Sequence, residues 1–181
     1  PVSPEEYAIR KEELEGWLKH TDEIICSGDV DTQRWVRAYV ACLLALPRER
    51  CTKILILRGV SESGRGAWLT PLRKVLGDSL VCDIRRSNDL LTESFTKHCT
   101  SPRLIDITRV VRKMTDSRWA KVKERAKERT MDVHRIHTVD AHAMYVACVS
   151  PDDEINSVVS NDGQTVLVDV SDAVVGNPPE Y

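Results

Sequence analysis

Residues 59–66, "GVSESGRG", place Gly59 and Gly64 four residues apart, after an apolar run and before a helix-like stretch. That spacing suits a backbone that turns sharply and points its amide N–H groups inward around a phosphate. A helix starting at residue 66 would bring its positive end to the same anion. A hydrolytic loop of this kind also needs a lysine for the terminal phosphates and a hydroxyl for magnesium. Here Arg65 stands in the lysine position and Gly66 in the hydroxyl position. Arg65 keeps the charge, but its planar fork is no simple replacement for an ammonium. Ser61 and Ser63 offer hydroxyls, neither of them at the metal position. The candidate nucleotide-binding residues are therefore Gly59, Ser61, Ser63, Gly64, Arg65 and Gly66. The competing reading is a glycine-rich strand–helix turn that binds no nucleotide.

Further groups follow at suggestive distances. "RLIDITR" ends an apolar run with Asp106, about 40 residues beyond the loop, where a magnesium-side carboxylate is expected. No second acid follows it to activate water, and an Asp capping a turn is the simpler alternative. "AMYVACVSP" lies about 40 residues further on, and Cys148 or Ser150 would occupy the tip that senses a terminal phosphate. Between them runs a basic segment containing Arg112, Lys113, Arg118, Lys121, Lys123, Arg125, Lys127 and Arg129. It can track a nucleic-acid backbone, or form a solvated helix in which Glu124 and Glu128 make local pairs. His134, His137 and His142 lack a metal-ligand spacing and suit a strand or hairpin. No nucleophile elbow is present, because "SESGRG" is not G-x-S-x-G.

These groups need elements to hold them. Residues 3–20 begin as a helix should, with Ser3 as cap, Pro4 in the first position and Glu6 at the capping-box position. Residues 31–46 place Trp35, Val36, Tyr39, Val40, Leu43 and Leu44 at helical spacing, and Pro47 ends that helix. The polar linker between the two is a candidate boundary. From residue 53 onward, apolar runs at 53–59, 79–84, 103–111, 143–150 and 165–171 read as strands. Helical patterns at 67–77 and 117–129 alternate with them, Gly77 closing the first and Pro71 bending it. The expected fold class is α/β: P-loop NTPase-like, with a largely parallel sheet flanked by helices and an N-terminal helical segment. The expected organisation is an N-terminal helical segment over 1–50, the loop-bearing domain over 51–175 and a tail over 176–181.

Totals narrow the classes. The chain has 181 residues, 41% hydrophobic and 30% charged, as a globular domain would. Its longest apolar run, "VACLLAL", is far too short for a membrane span, so no membrane partner is expected. Net charge is −2, yet residues 103–137 carry a local +6, which marks a possible anion-binding face. Cys26, Cys42, Cys51, Cys82, Cys99 and Cys148 follow no zinc spacing and read as core thiols of a reducing compartment, cytoplasm or nucleus. "PVSPEEY" carries no signal pattern and no initial Met, which leaves targeting open.

Taken together, the segments over roughly residues 35–170 resemble the helicase domain of replication-associated (Rep) proteins of circular single-stranded DNA viruses, such as nanoviruses and circoviruses. That domain belongs with the hexameric viral helicases that include those of parvoviruses. The family's nicking endonuclease is not visible: no histidine–hydrophobe–histidine motif precedes a catalytic tyrosine motif. In "RLIDITR", Asp106 and Arg109 match the family's second motif, with Thr108 in place of proline. In "ACVSP", Ala147 and Pro151 match, with Cys148 at the asparagine position. In "VSNDG", Ser160 and Asp162 match, and Gly163 replaces an arginine. Framework residues persist while those that touch triphosphate or metal are exchanged.

The resemblance implies ATP and magnesium as cofactors if the site functions, and none otherwise. Asp106 would be the metal-side acid, Cys148 the sensor, and Arg109 or Arg112 an arginine finger toward a neighbour in a ring. Single-stranded DNA or another nucleic acid would be the partner, contacted by Lys121, Lys123 and Arg125 and by a hairpin bearing His134, Arg135 and His137. The leading expectation is a domain with weak or lost ATPase activity, used as a nucleic-acid-binding or assembly module. The alternatives are an active ring helicase and a protein-interaction domain without nucleotide.

Overall fold

A computed structural model describes residues 4–45, 51–86, 102–112, 114–128, 130–133, 137–140, 143–153 and 163–172. Helix α1 spans Pro4–His20 and passes into a π-helical turn, Thr21–Ile25. Helix α2 (Val30–Ala45) starts at Asp29, whose carboxylate accepts from the Thr32 N–H at 2.7 Å. Then come β1 (Ile54–Arg58), α3 (Arg65–Leu76), β2 (Val81–Asp83), β3 (Leu104–Asp106), α4 (Thr108–Val111) and α5 (Asp116–Lys127). Strands β4 (Thr130–Val133), β5 (His137–Asp140), β6 (Met144–Val149) and β7 (Thr165–Asp169) complete the described elements.

Five strands form one sheet in the order β2-β3-β6-β1-β7, and every neighbouring pair is parallel. β1 lies between two strands from the end of the chain. The turn after β1 therefore opens beside the carboxyl ends of β6 and β7, the place where α/β sheets hold ligands. β4 and β5 form a separate antiparallel hairpin. The expected strand over 103–111 is shorter than its apolar run: it stops at Asp106, and "TRVV" turns into α4.

"ILIL" shows why β1 sits centrally. Ile54 and Ile56 enter a core with Ile105, Ile107, Trp119, Val122 and Tyr145, on the side covered by α4 and α5. Leu55 and Leu57 enter the opposite core with Trp17, Ile25, Val36, Leu43, Trp68 and Leu72. Side chains of a strand alternate between faces, so a run of four apolar residues is what burial on both faces demands. The second core also unites α1, the π turn and α2 with the sheet.

Candidate phosphate-loop site

The loop keeps the backbone shape of an anion cradle. Glu62 (φ 66°) and Gly64 (φ 82°) lie in the left-handed region while Ser61, Ser63 and Arg65 do not. That alternation turns successive N–H groups toward one side. Gly64 is needed twice over, for its φ and because a Cβ there would meet the His20 ring at 2.6 Å. Gly59 donates its N–H to Val149 O at 3.1 Å, tying the loop's start to the end of β6. Among the described residues, the N–H groups of Glu62, Gly64, Arg65 and Gly66 find no protein acceptor. Ser63 Oγ is buried without a hydrogen-bond partner and lies across the loop, 2.9 Å from where a Gly59 Cβ would stand.

Arg65 opens α3 and is 8% exposed. Its Nη2 donates to Val60 O at 2.8 Å, and its Nη1 donates to Val149 O and, at 3.5 Å, to Leu57 O. Its partners are therefore neutral carbonyls at the ends of β1 and β6 and within the loop. Burial lowers the guanidinium pKa from its ordinary value, and nearby Arg112 adds to this. A guanidinium stays charged under such a shift.

The acid end of the site is organised differently. Parallel pairing sets Asp83 of β2 directly beside Asp106 of β3. Two neighbouring carboxylates repel each other, and Arg73 of α3 bridges them. It meets Asp83 in a two-pronged pair at 2.7 and 3.1 Å and also donates to Asp106 Oδ2. These partners raise the Arg73 pKa, the Asp83 bond foremost. Asp106 Oδ1 accepts from the Thr108 N–H at 2.8 Å, so each carboxylate oxygen already accepts a bond.

Thr108 also accepts from the Cys148 N–H, at 2.9 Å, and so links the tip of β6 to the turn after β3. A proline here would supply neither bond, lacking both N–H and hydroxyl. Cys148 lies between the two ends of the site on β6. Burial pushes its thiol up to about 12, and the Asp106 charge pushes the same way while Arg65 and Arg73 oppose it. Just beyond, Arg112 pairs with Asp153 at 3.2 Å, and Asp153 caps the Ser150 N–H at 2.6 Å.

The N-terminal helix is fastened to the helix that carries the loop. Trp17 stacks on Trp68 with ring centroids 5.7 Å apart, and its Nε1 donates to Trp68 O at 3.0 Å. Trp68 Nε1 donates to Thr21 Oγ1 at 2.9 Å, and that hydroxyl donates to Trp17 O. This places His20 against the loop at Gly64; burial lowers its pKa, and a bond to the Gly64 backbone opposes that.

Of the expected site residues, the fold brings the loop residues, Asp106 and Cys148 together along three adjacent strand ends. Arg109 is exposed on α4. Lys121 is exposed on α5, and Lys123 and Arg125 are half-buried there. The expected hairpin exists as β4–β5, with His137 opening β5; His134, Arg135, His142, Ser160 and Asp162 lie outside the described residues. Among the described residues, no three or more His, Cys, Asp or Glu side chains are grouped to hold a metal. No described helix is long and apolar enough to cross a membrane. Sequence reasoning missed Arg73, Asp83 and His20. For Arg73 a signal existed: it follows Arg65 by eight residues, on the same stripe of an amphipathic helix.

Strand, anion-shaped loop, helix and an acid two strands away define a P-loop NTPase-like α/β domain. Solved structures share the fold. The A form apo structure of the NrS-1 C-terminal region superposes with a TM-score of 0.67 at 14% identity, covering 92% of this chain and 40% of that one. An apo structure of the same region (305–718) gives 0.67 at 13% identity, with the same coverage. The chain thus spans about 40% of the structures it matches. No protein-family model matches the chain, and no curated protein matches it in sequence.

Proposed function

We propose that the chain is a helicase-type P-loop domain of a replication protein, similar to those of Rep proteins, in which hydrolysis of ATP is weak or lost. Its retained role is to bind nucleic acid or to assemble with other subunits. One observation carries the reading. The loop backbone has its anion-binding shape, while the carboxylate that would serve the metal is engaged by the protein's own arginine and Arg65 is anchored by backbone carbonyls, unlike a mobile lysine that follows the terminal phosphate. Arg65 is held by carbonyls and Asp106 by Arg73. The likeness to the NrS-1 C-terminal region supports the fold on which this reading rests.

Single-stranded DNA is the proposed nucleic acid, along α5 and the β4–β5 hairpin, where Lys121, Lys123 and Arg125 supply charge. Arg109, exposed beyond β3, is the group assigned to reach a neighbouring subunit in a ring. The test is phosphate release from ATP with magnesium, with and without an oligonucleotide, beside an oligonucleotide titration at two salt concentrations. Expected are no turnover above background and a binding constant that falls steeply with salt. Magnesium-dependent turnover abolished by Arg65→Ala would overturn the loss of hydrolysis. Binding that ignores salt, or no binding at all, would remove the nucleic-acid role.

A further inference from the structure

We infer that the loop takes the phosphates of a di- or triphosphate without magnesium, because Arg73 occupies the metal's place on Asp106. This rests on the loop being a phosphate cradle and adds how its charge is completed. The donors for magnesium are not there: Gly66 brings no hydroxyl, and both oxygens of Asp106 already accept bonds, one from a cation. Magnesium in such sites joins the acid to the phosphate and removes repulsion between them. Arg73 offsets part of that repulsion, since its one positive charge is shared between Asp106 and Asp83 and holds the two carboxylates together.

The cradle has what an anion needs without a metal. The N–H groups of Glu62, Gly64, Arg65 and Gly66 have no protein acceptor among the described residues, and Ser63 Oγ is 1% exposed with no partner. Glu62 and Gly66 are exposed, and the first N–H groups of any helix lack an intrahelical acceptor, but Ser63 and Gly64 are buried, and buried donors without acceptors are what a missing ligand leaves behind. Arg65 has five N–H donors and uses three, leaving Nε and one Nη2 hydrogen for an oxyanion. Its direct partners are neutral carbonyls, and Asp153, the acid that acts on it, is itself paired with Arg112. Arg65 reaches Val149 O at the end of β6 and Arg73 reaches Asp106 at the end of neighbouring β3, so the two arginines border adjacent strand ends.

The test is calorimetric titration of the whole chain with pyrophosphate and with ADP, each in excess EDTA and in excess magnesium chloride. Expected is binding of both in EDTA, unchanged or weaker with magnesium, which masks the phosphate charge and finds no ligands in the site. Pyrophosphate bound without ADP also supports the inference and names the free diphosphate as ligand. Binding only with magnesium, binding of ADP alone, or no binding to either overturns it. Failure of this inference is separable from failure of the proposed function. No binding in EDTA with no turnover overturns only the metal-free cradle, whereas magnesium-dependent turnover overturns both. Arg73→Gln exposes the Asp106 charge, so binding in EDTA should weaken about tenfold and become improvable by magnesium. Should that variant fail to fold by circular dichroism, Asp106→Asn serves instead. It removes the charge Arg73 answers, so binding in EDTA should hold or tighten, and its loss would overturn the inference.

Discussion

Helix α3 carries an arginine at its start and another two turns on, and their surroundings are opposite. Arg65 sits among backbone carbonyls, while Arg73 sits between two carboxylates. Carbonyls satisfy N–H donors without cancelling charge, so burial lowers the pKa of Arg65; carboxylates raise that of Arg73. One arginine keeps an electrostatic demand that an anion can meet, and the other has spent its charge. The loop end of the site thus keeps a buried charge held only by neutral groups, and at the acid end the carboxylates are met by the protein's own cation.

The sharpest way to break this contrast is to delete each guanidinium in turn. Arg73→Met leaves Asp83 and Asp106 side by side, with Asp106 only 9% exposed. Its expected cost is about 2–4 kcal/mol in urea unfolding, mostly the penalty of a buried, unanswered charge. Arg65→Met leaves Val149 O its bond from the Gly59 N–H, so only about 1–2 kcal/mol is expected. Adding Asp106→Asn should recover part of the Arg73→Met loss but none of the Arg65→Met loss. Equal costs for the two single variants would remove the distinction between the ends.

The contrast can also be sharpened by rebuilding chemistry. Arg65→Lys with Gly66→Ser restores the side chains a hydrolytic loop carries, yet Arg73 still holds Asp106. Phosphate release should stay at background in that variant. It should rise only when Arg73→Gln is added, if the acid end is what closes the site. Turnover from the loop changes alone would show that Arg73 is no obstacle.

Much of this architecture is legible in the sequence, and the missing part has a physical reason. "KILILRG", "GVSESGRG" and "AMYVACVS" announce their elements because their patterns are local: apolar runs and a glycine spacing. The end of β3 at Asp106 is not legible, since "DITRVV" is apolar enough to continue as a strand. What stops it is a bond from the Thr108 N–H to Asp106, and the chain then turns into α4. The Arg73 bridge is less visible still. It exists only because parallel register sets Asp83 beside Asp106 and α3 packs over both, three segments far apart in the chain. His20 at Gly64 likewise depends on the Trp17–Trp68 stack, a contact between residues 51 apart.

A smaller effect is expected at Thr108, which stands between the two ends. Thr108→Val keeps the N–H bond to Asp106 and removes the hydroxyl that accepts from Cys148 N–H, leaving a half-buried donor unmet. About 1 kcal/mol is expected, with Thr108→Ser nearly neutral. Should the two variants cost the same, the hydroxyl bond to β6 carries no stability.

The smallest effect belongs to the loop end and depends on pH. Burial lowers the His20 pKa below 6.5, so the folded chain resists a proton that the unfolded chain accepts. The unfolded state then binds more protons below 6.5, and stability falls as pH falls through that value. The slope from this one group is at most about 1.4 kcal/mol per pH unit. His20→Gln keeps a polar side chain of similar reach against Gly64 and abolishes the titration. Urea unfolding at about pH 7.5 and about pH 5.5 should therefore lose less stability in the variant than in the parent. A bound phosphate would oppose the trend, because an anion in the loop favours the imidazolium. With pyrophosphate present, the parent's loss toward acid should shrink while that of His20→Gln stays as it was. An unchanged slope in the parent would mean that His20 does not feel the cradle it covers.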